Sequence, residues 1–442
     1  MSKVLIIGAG AAGLMAAIHA ARAGADVTIL EHNEKPGKKI YLTGKGRCNV
    51  TNDCTLDAFL AEVPRNPRFL YSALHYFSPQ DMMALLADSG CPTIVQRGRR
   101  VFPATEKASD VTKTLVRLCQ QLGVRILLRQ QVTGIRLAED GSAAGVTATE
   151  LPGQSGFALP PAHGKMEADI PALRGSAPGT HSGGMIPADA VILATGGGSY
   201  PATGSTGDGY RLAGELGHTV IPPLPSLIGL ESRETWPHDL QGLSLKNVRL
   251  TLKKGKKTLY TELGEMLFTH FGFSGPLILE ASCHLPEPWT DCALELDLKP
   301  GLDRQQLEAR LLRDLEAGSR KQLRNILPGL LPASLAEIFP SLCGLPASLP
   351  CNQVTAAQRE ALLGSLKALP LAIQGRRPLA EAIVTRGGVS VREVNPGTME
   401  SKLVPGLFFA GELLDVDAHT GGYNLQIAFS TGALAGFSAA AR

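Results

Sequence analysis

The sequence predicts an α/β fold in which a parallel-sheet domain is interrupted by an inserted α+β domain. Three observations predict it. An apolar run, a glycine-rich turn and an apolar helix open the chain, strand and helix patterns then alternate, and long alternating strands take over after about residue 200. With 442 residues, of which 44% are hydrophobic, the chain is long enough to build two cores.

The first element is Lys3–Ile7, a buried strand followed by a turn that contains Gly8, Gly10 and Gly13. A helix and a second strand, Asp26–Leu30, come next and complete a βαβ unit. The three glycines match the GxGxxG pattern, in which a tight turn, a close approach to a pyrophosphate and close helix packing each exclude a side chain. The pattern therefore predicts a Rossmann-type dinucleotide-binding domain.

Ala11 and Ala12 open the helix whose N-terminus is expected to face the pyrophosphate, and Glu31 ends the second strand 18 residues after Gly13. A carboxylate at that place accepts hydrogen bonds from both ribose hydroxyls of an adenosine and repels a 2′-phosphate. The site is expected to favour FAD or NAD over NADP.

Further elements of this first domain follow in order. They are helices at Thr55–Leu60, Pro67–Tyr76, Pro79–Ser89 and Asp110–Leu122, strands at Arg125–Arg129, within Val132–Glu150 and at Ala188–Ala194, and a last strand and helix at Pro405–Ala410 and Gly421–Ala441. Residues 151–186, rich in Gly, Pro, Ala and Ser, predict an extended loop. We assign residues 1–199 and 376–442 to this discontinuous domain.

Residues 200–375 are assigned to the inserted domain, which we expect to combine a β-barrel-like part with a helical part. Strands are predicted at Leu243–Lys253, Lys257–Leu263 and Ala293–Leu298, and helices at Asp303–Ala317 and Thr355–Ala368.

Four segments of the chain carry residues suited to a long flavin dinucleotide. Lys38–Asn49 supplies glycines, a hydroxyl and cations, and Ala194–Gly197 ends a core strand at the edge where open α/β sheets bind ligands. Phe409–Glu412 adds a carboxylate for the ribitol hydroxyls. Gly421–Asn424 begins a helix whose dipole stabilises negative charge on a reduced flavin. These segments favour FAD over NAD.

Composition excludes several classes of protein. The net charge of +3 and the 19% of charged residues require neither a nucleic acid nor an anionic membrane as partner. Eight scattered cysteines without a CxxC pair predict free thiols in a reducing cytoplasm and no metal site. The apolar stretch Val4–Ala21 is explained by a strand, a turn and a helix of small residues, so no membrane association is expected. The oligomeric state stays open.

Three segments carry a resemblance to a known family: Gly46–Asn52 (GRCNVTN), Thr269–Pro276 (THFGFSGP), and Gly411-Glu412 followed by Thr420–Asn424 (TGGYN). With the GxGxxG start, the chain resembles the BaiN/RdsA-like family of NAD(P)/FAD-dependent oxidoreductases over nearly its whole length. The resemblance implies bound FAD and an inserted domain. Residues 151–186 are longer than the family pattern needs, and Lys45 stands where a small residue is common.

The patterns and the resemblance together give the expected cofactor contacts. They are Gly8, Gly10, Ala11, Ala12, Gly13, Glu31, Lys38, Thr43, Gly44, Gly46, Arg47, Cys48, Asn49, Val132, Thr195, Gly196, Gly411, Glu412, Gly421, Gly422, Asn424 and Leu425. Because the chain has one dinucleotide fingerprint, NAD(P)H is expected as a transient reductant that leaves before the acceptor binds.

The candidate catalytic residues are His270, Cys48, Arg47 and Tyr423. His270 is either a proton donor to the substrate or a core histidine bonded to the backbone. Cys48 is a proton donor, a packing residue or, with Cys54, half of a redox pair, although His419 has no downstream glutamate such as disulfide reductases use. Arg47 and Tyr423 are expected to orient an anionic or carbonyl group.

The expected activity is NAD(P)H-driven reduction of an activated C=C bond, either in a small enone or in a uridine of ribosomal RNA. The alternatives are an amine or aminoketone oxidase, a thiol–disulfide oxidoreductase that uses Cys48, and a non-catalytic flavin-binding protein associated with RNA. Basic clusters at Arg97–Arg100 and Lys253–Lys257 keep RNA open as a partner. Aromatic residues, at 5%, give little sign of a base-stacking surface.

Overall fold

A computed structural model describes residues 1–152 and 184–442 of the chain. Most of the expected loop at 151–186 lies outside the described residues. Its end does not: Met185–Pro187 forms a strand that pairs with the strand Ala143–Glu150. For that short part of the segment the expectation of a loop is wrong, because Gly and Pro in the preceding residues obscure its pairing pattern.

The described strands and helices are numbered in chain order. The strands are β1 Lys3–Ile7, β2 Asp26–Glu31, β3 Thr51–Asn52, β4 Thr93–Gln96, β5 Arg100–Pro103, β6 Arg125–Leu128, β7 Gln130–Leu137, β8 Ala143–Glu150, β9 Met185–Pro187, β10 Ala190–Leu193, β11 Val220–Ser226, β12 Leu230–Ser232, β13 Ser244–Lys254, β14 Lys257–Thr269, β15 Gly272–Ser274, β16 Cys292–Asp297, β17 Leu369–Leu371, β18 Ile373–Arg376, β19 Val384–Val389 and β20 Leu407–Phe409. The helices are α1 Ala11–Arg22, α2 Leu56–Ala61, α3 Tyr71–Tyr76, α4 Pro79–Asp88, α5 Ala108–Gln121, α6 Asp208–Glu215, α7 Trp236–Asp239, α8 Pro276–His284, α9 Arg304–Ala317, α10 Leu323–Ile326, α11 Ala333–Leu342, α12 Ala356–Lys367 and α13 Tyr423–Ala440.

The first compact unit comprises Met1–Pro225 and Leu379–Arg442. Its central sheet is parallel and has the order β20-β10-β1-β2-β6. The chain runs outward from β1 through β2 to β6 and then returns on the other side through β10. The strand order therefore reverses between β1 and β10, and open α/β sheets bind ligands at the carboxyl ends of strands beside such a point. The Rossmann-type fold is confirmed.

Burial along these strands explains their sequence. Val4–Ile7, all of β10 and all of β20 are buried without alternation, as expected where helices cover both faces of a parallel sheet. Helix α1 packs against α13 and α5. The last helix, which begins more than four hundred residues after β1, thus completes the core of the first unit.

The second compact unit comprises Ser226–Pro378. Its sheet has the order β17-β16-β13-β14-β15-β12-β18, and all its pairs are antiparallel. Only Ala372 separates β17 and β18, so these two strands form one extended chain segment. β17 pairs with β16 and β18 pairs with β12, at opposite ends of the strand order, which brings the sheet to a barrel-like closure. Helices α9, α11 and α12 carry buried leucines of the same core.

The boundaries of the units differ from the expected 199/200 and 375/376. The first unit keeps residues 200–225, which contain α6 and most of β11. The reason is long-range pairing, because β11 pairs with β19 from the C-terminal part of the chain. The composition of residues 200–225 gives no sign of the pairing with β19. The second boundary, at Pro378, lies close to the expected place.

Candidate functional site

The glycine turn after β1 has the close packing that the GxGxxG pattern requires. Gly8 has a φ of +102°, and a Cβ there would lie 2.6 Å from the carbonyl oxygen of Ala194 at the end of β10. A Cβ on Gly13 would lie 1.9 Å from the carbonyl oxygen of Gly8. Gly10, which caps α1, has nothing within 4 Å of its Cβ position. The turn is closed on the sheet side and open at the helix N-terminus, which fits a pyrophosphate.

Glu31 is a buried carboxylate at the end of β2, with 6% exposure. Its Oε2 accepts a hydrogen bond from the backbone N of Ala9 at 2.7 Å. Its Oε1 accepts from the backbone N and the Nδ2 of Asn33, at 2.8 and 2.7 Å. Three donors offset the desolvation of the charge and occupy three of the carboxylate's about four acceptor sites, which leaves one on Oε2 for a ribose hydroxyl. This carboxylate therefore fits the ribose at the adenosine end of FAD, whose hydroxyl groups donate hydrogen bonds.

The Lys38–Asn49 segment folds as a tight loop around Ile40–Gly46, with left-handed backbone at Gly44, Lys45, Gly46 and Cys48. A Cβ on Gly44 would lie 2.8 Å from the backbone N of Asn49. Lys45 adopts a φ of 58°, a conformation that disfavours side chains with a Cβ by about 1–2 kcal/mol.

Three polar groups of this segment are expected to contact the cofactor, and they differ in whether they already have a partner. The Oδ1 of Asn49 is buried without a hydrogen-bond partner among the described residues, which is the state expected of an atom whose partner is a bound ligand. Lys38 Nζ instead pairs with Glu34 at 2.8 Å, and Thr43 Oγ1 donates to Ile40 O at 2.7 Å.

Cys48 lies in an environment that keeps its thiol protonated. Its side chain is fully buried, and burial raises its pKa to about 12. Burial also raises the pKa of Cys54, to about 11, and both cysteines are free thiols. The thiolate is the reactive form of a redox cysteine, so burial disfavours redox chemistry at Cys48, whereas a protonated thiol can still donate a proton. A packing role agrees with the burial, and the catalytic roles of Cys48 stay predictions.

Arg47 is half-exposed and already has two partners. Its guanidinium lies 4.6 Å from the ring centroid of Phe102, and its Nη1 lies 3.3 Å from Glu106 Oε1. Val132 is buried in β7, where it pairs with Ala148.

The carboxyl ends of β10 and β20 contribute the next group. The buried Thr195 Oγ1 has no hydrogen-bond partner among the described residues, and Gly196 has a φ of 75°. Gly411 lies against the first turn of α1, because a Cβ there would be 2.8 Å from that of Ala12. The structure therefore brings the predicted residues after β1, β10 and β20 together.

Glu412, expected to bind ribitol hydroxyls, uses both oxygens within the protein. Its Oε2 lies 2.6 Å from Lys39 Nζ, and its Oε1 accepts from Thr385 N at 2.8 Å and from Ser199 Oγ at 3.0 Å. This network joins the loop after β2, the segment after β10, β19 and the end of β20. One of the carboxylate's about four acceptor sites remains, so binding of a ribitol hydroxyl by Glu412 stays a prediction.

The turn before α13 is held by the GRCNVTN segment. Gly422 caps α13 with a φ of 99°, and a Cβ there would lie 2.4 Å from Thr51 O. The buried Asn52 donates to Gly421 O at 3.2 Å. Asn424 Oδ1 accepts from Ala418 N at 2.9 Å, so this side chain holds the preceding loop. Tyr423 packs edge-on against Phe59 at 5.1 Å, while Leu425 is half-buried.

His270 belongs to the second unit. It is exposed in the turn between β14 and β15, with its ring edge-on to Phe271 at 5.1 Å. The turn is tight because a Cβ on Gly272 would lie 2.5 Å from Ser232 N. His270 is therefore not a core histidine.

Several contacts could not be inferred from the sequence. His419 Nδ1 lies 2.9 Å from Glu62 Oε2. His419 therefore has a glutamate partner, although that glutamate follows α2 and does not lie downstream of the histidine. Arg65 Nε lies 3.0 Å from the buried Asp417 Oδ1. Each pair spans more than three hundred residues, and no local pattern reports such a pairing.

Metal-binding and membrane-spanning features are both missing from the described part of the chain. Within residues 1–152 and 184–442, no cluster of three or more His, Cys, Asp or Glu side chains could hold a metal ion. In the same ranges, no helix is both long and apolar enough to cross a membrane.

The parallel sheet, the glycine turn and the buried Glu31 define an FAD-binding oxidoreductase of the Rossmann class. The family described as HI0933-like protein Rossmann domain matches residues 2–154 and 174–438, and the chain belongs to that family. It is 32% identical to the 3-dehydro-bile acid delta(4,6)-reductase of Clostridium scindens, with 100% of both chains covered. It is also 32% identical to the ribosomal RNA dihydrouridine synthase of Haemophilus influenzae, over 97% of this chain and 96% of that protein.

Solved structures agree on the fold. The 3-ketosteroid-delta4-(5alpha)-dehydrogenase of Rhodococcus jostii superposes with a TM-score of 0.50 at 17% identity, covering 99% of this chain and 97% of that one. The expected family, fold class and enzyme class are confirmed.

Proposed function

We propose that this enzyme reduces an activated C=C bond and takes its electrons from NAD(P)H. The observation that carries the proposal is the burial of Cys48, a free thiol whose pKa burial raises to about 12, which disfavours the thiolate that an electron relay needs. Reduction of the acceptor directly from the cofactor is then the simplest route. The two relatives named as a delta(4,6)-reductase and a dihydrouridine synthase support the same chemistry.

FAD, when bound, would supply the chemistry of hydride transfer between a nicotinamide and an electron-poor carbon. The residues proposed to hold it are the Gly8–Gly13 turn, Glu31, the Thr43–Asn49 loop, Val132, Thr195–Gly196, Gly411 and the Gly421–Leu425 turn. At the start of α13, backbone N–H groups without partners inside the helix stabilise negative charge.

The second atom of the reduced double bond needs a proton, and we propose His270 as its donor. The proposal rests on the exposure of His270 and on the tight turn that fixes its backbone. A general acid contributes about 10²–10⁴-fold to such a step. Arg47 and Tyr423 stay proposals for orienting the substrate.

The test uses the FAD-loaded protein without oxygen. Titration with NADH or NADPH is followed by flavin absorbance and by thiol counting. We expect two electrons to reduce the flavin with no new thiols, and the two substrates to show ping-pong kinetics. Uptake of a further electron pair with a new thiol pair would instead establish dithiol chemistry.

The acceptor half-reaction tests His270. His270→Ala should slow reoxidation of the reduced flavin by the acceptor and leave its reduction by NAD(P)H unchanged. The matched control is His75→Ala, which removes an exposed imidazole from the first unit. Equal acceptor rates in both variants would remove His270 from the mechanism.

A deletion strain separates the two proposed acceptors. If uridine in ribosomal RNA is the substrate, mass spectrometry of that RNA should show the loss of a dihydrouridine, restored by the wild-type gene and not by His270→Ala. An unchanged modification profile would favour the small enone.

A further inference from the structure

We propose that a basic surface of the first unit binds the sugar-phosphate backbone of an RNA strand and positions it at the turn Gly421–Gly422. The proposal rests on the proposed function, because it names the RNA-type acceptor for the same site. We call this surface the basic track; it consists of Arg97, Arg99 and Arg100 at one end and of Arg68, Arg392 and Lys402 at the other.

The first end is the turn between β4 and β5. Gly98 and Arg99 both have left-handed backbone, with φ values of 74° and 57°, and residues 97–100 are all exposed. Arg100 Nε donates to Arg97 O at 3.1 Å, which holds the turn. Within the described part of the chain, none of the three guanidinium groups forms an ion pair. Unpaired, exposed arginines suit phosphate oxygens, which they contact as a planar fork.

The other basic cluster predicted from the sequence differs. In the turn between β13 and β14, Lys253 Nζ lies 2.6 Å from Glu295 Oε2, and Lys254 Nζ donates to Pro288 O at 3.4 Å. Lys253 and Lys254 are therefore already bonded to other groups of the second unit. Lys256 and Lys257 remain as exposed, solvated lysines.

The arginine turn is tied directly to the turn proposed to bind flavin. Asn52 Nδ2 donates to Gly98 O at 3.1 Å and to Gly421 O at 3.2 Å. Asn52 is 2% exposed, and the neighbouring Asp53 N donates to Arg99 O at 2.8 Å. Arg99 also lines a cavity of about 500 Å³ together with Asp53, Cys54, Thr55 and Gln80. The backbone of the arginine turn is thus joined to the flavin turn through one side chain, and Arg99 borders an open cavity.

The second end of the track is a cavity of about 480 Å³ whose lining includes Arg68, Arg392 and Lys402. All three side chains are exposed. Lys402 Nζ donates to Arg392 O at 2.8 Å, which keeps these two cations together.

The loop 415–421 connects this end to the flavin turn. Asn66, beside Arg68, donates to Asp415 O at 2.7 Å, and His419 pairs with Glu62 two residues before Gly421. The carboxylate of Asp417 on this loop pairs with Arg65. This path of contacts connects the Gly421–Gly422 turn to both basic clusters.

Two exposed cationic clusters carry more positive charge than a small acid needs, so they favour a polyanion such as an RNA backbone. Each neutralised phosphate releases counterions, so binding of a strand along the track must weaken as salt rises. An anionic membrane would also be attracted to cations, and the test therefore includes one.

The experiment measures binding of fluorescein-labelled oligouridine to the FAD-loaded full chain by anisotropy over a salt series. For single strands, each phosphate that a cation neutralises contributes about 0.7 to the slope of log K against log salt. Arg97→Ala/Arg99→Ala removes two such cations and should therefore make the slope shallower by about 1.4, and Arg392→Ala/Lys402→Ala by a similar amount. Arg and Ala both carry a Cβ, so the left-handed backbone at residue 99 is equally strained in the variant.

The matched control is Lys256→Ala/Lys257→Ala, which removes the same charge from the second unit and should leave the slope unchanged. Flavin absorbance and thermal melting check that every variant is folded. Equal changes of slope in the control and the track variants would overturn the proposal, as would the absence of oligouridine binding by wild-type protein. Equal binding to phosphatidylserine vesicles, weakened to the same degree in the track variants, would also overturn it.

The two proposals fail separately. If wild-type protein binds oligouridine along the track but NAD(P)H never reduces its flavin, the proposed function fails and the track stands. If the wild-type protein reduces a small enone but does not bind oligouridine, the track fails and the proposed function stands.

Discussion

Glu31 combines a structural and a ligand-binding task in one buried carboxylate. Its hydrogen bonds with Ala9 and Asn33 join the loops after β1 and β2, which are the two loops proposed to hold the adenosine half of FAD. Buried N–H groups that lose their acceptor are costly, so the carboxylate contributes even before a cofactor binds.

We expect Glu31→Ala to weaken FAD binding by about 1.5–3 kcal/mol, because the variant has no charge-assisted acceptor for the ribose hydroxyls. The measurement is the Kd of FAD from fluorescence titration of the apoprotein. Glu34→Ala is the control, since that carboxylate is 47% exposed and forms its ion pair with Lys38. The same Kd in both variants would exclude Glu31 from the cofactor site.

The buried thiols predict a loss of stability in alkali. Burial raises the pKa of Cys48 and of Cys119 to about 12 from a usual 9.0. Between these pH values the unfolded chain has released protons that the native protein retains, so rising pH favours unfolding by about 1.4 kcal/mol per pH unit for each thiol.

Urea unfolding below and above pH 9.0 measures this effect. Cys48→Ala/Cys119→Ala should flatten the pH dependence, although it lowers the absolute free energy of unfolding because the core is less well packed. Cys292→Ala, which removes a less buried thiol, should retain most of the slope. An unchanged slope in the double variant would show that these thiols ionise in the native protein.

At the scale of elements, the crossing of α1 and α13 depends on small residues. A Cβ on Gly432 would lie 2.3 Å from Ala12 O, and a Cβ on Gly436 would lie 2.0 Å from Ala16 O. Two glycines one helical turn apart thus let the backbones of the two helices touch. Both helices begin at proposed cofactor turns, so their spacing determines the spacing of those turns.

Gly436→Ala should destabilise the first unit by about 1–3 kcal/mol, because the added methyl group meets a backbone oxygen that cannot rotate away. Gly214→Ala in α6 is the control, since its Cβ position has nothing within 4 Å. That change should be neutral or stabilise by about 0.4–1 kcal/mol. Chemical denaturation gives both values, and equal effects would contradict the close crossing.

At the scale of the whole molecule, residues 1–152 and 184–442 form two hydrophobic cores, one in each compact unit. The second unit is a continuous segment, whereas the first needs both ends of the chain. Every residue proposed to contact FAD lies in the first unit.

FAD should therefore raise the melting temperature of one calorimetric transition and leave another unchanged. At about a hundredfold excess over Kd, a ligand stabilises the unit that binds it by about 2.7 kcal/mol. The isolated segment 226–378 serves as the control and should melt without any response to FAD. If the full chain instead melts in a single transition whose midpoint FAD raises, the two units unfold together.

The sequence by itself determined the βαβ start, the glycine turn and the acidic end of β2. Local sterics explain this, because a left-handed residue such as Gly8 and a close contact such as that of Gly13 admit almost no other residue type. The periods of strands and helices are equally local, which is why elements such as α9, α12 and α13 lie where the patterns predict them.

Only the tertiary structure decided the burial of Cys48 and the partners of Glu412 and His419. Burial of the Cys48 thiol depends on everything packed around it, and its pKa follows from that burial. Glu412 meets Lys39 across 373 residues of chain, and His419 meets Glu62 across 357. A sequence shows that such groups exist, but their partners are chosen by the packing of distant segments, and the partner decides whether a carboxylate or a thiol binds a ligand, reacts or holds the fold.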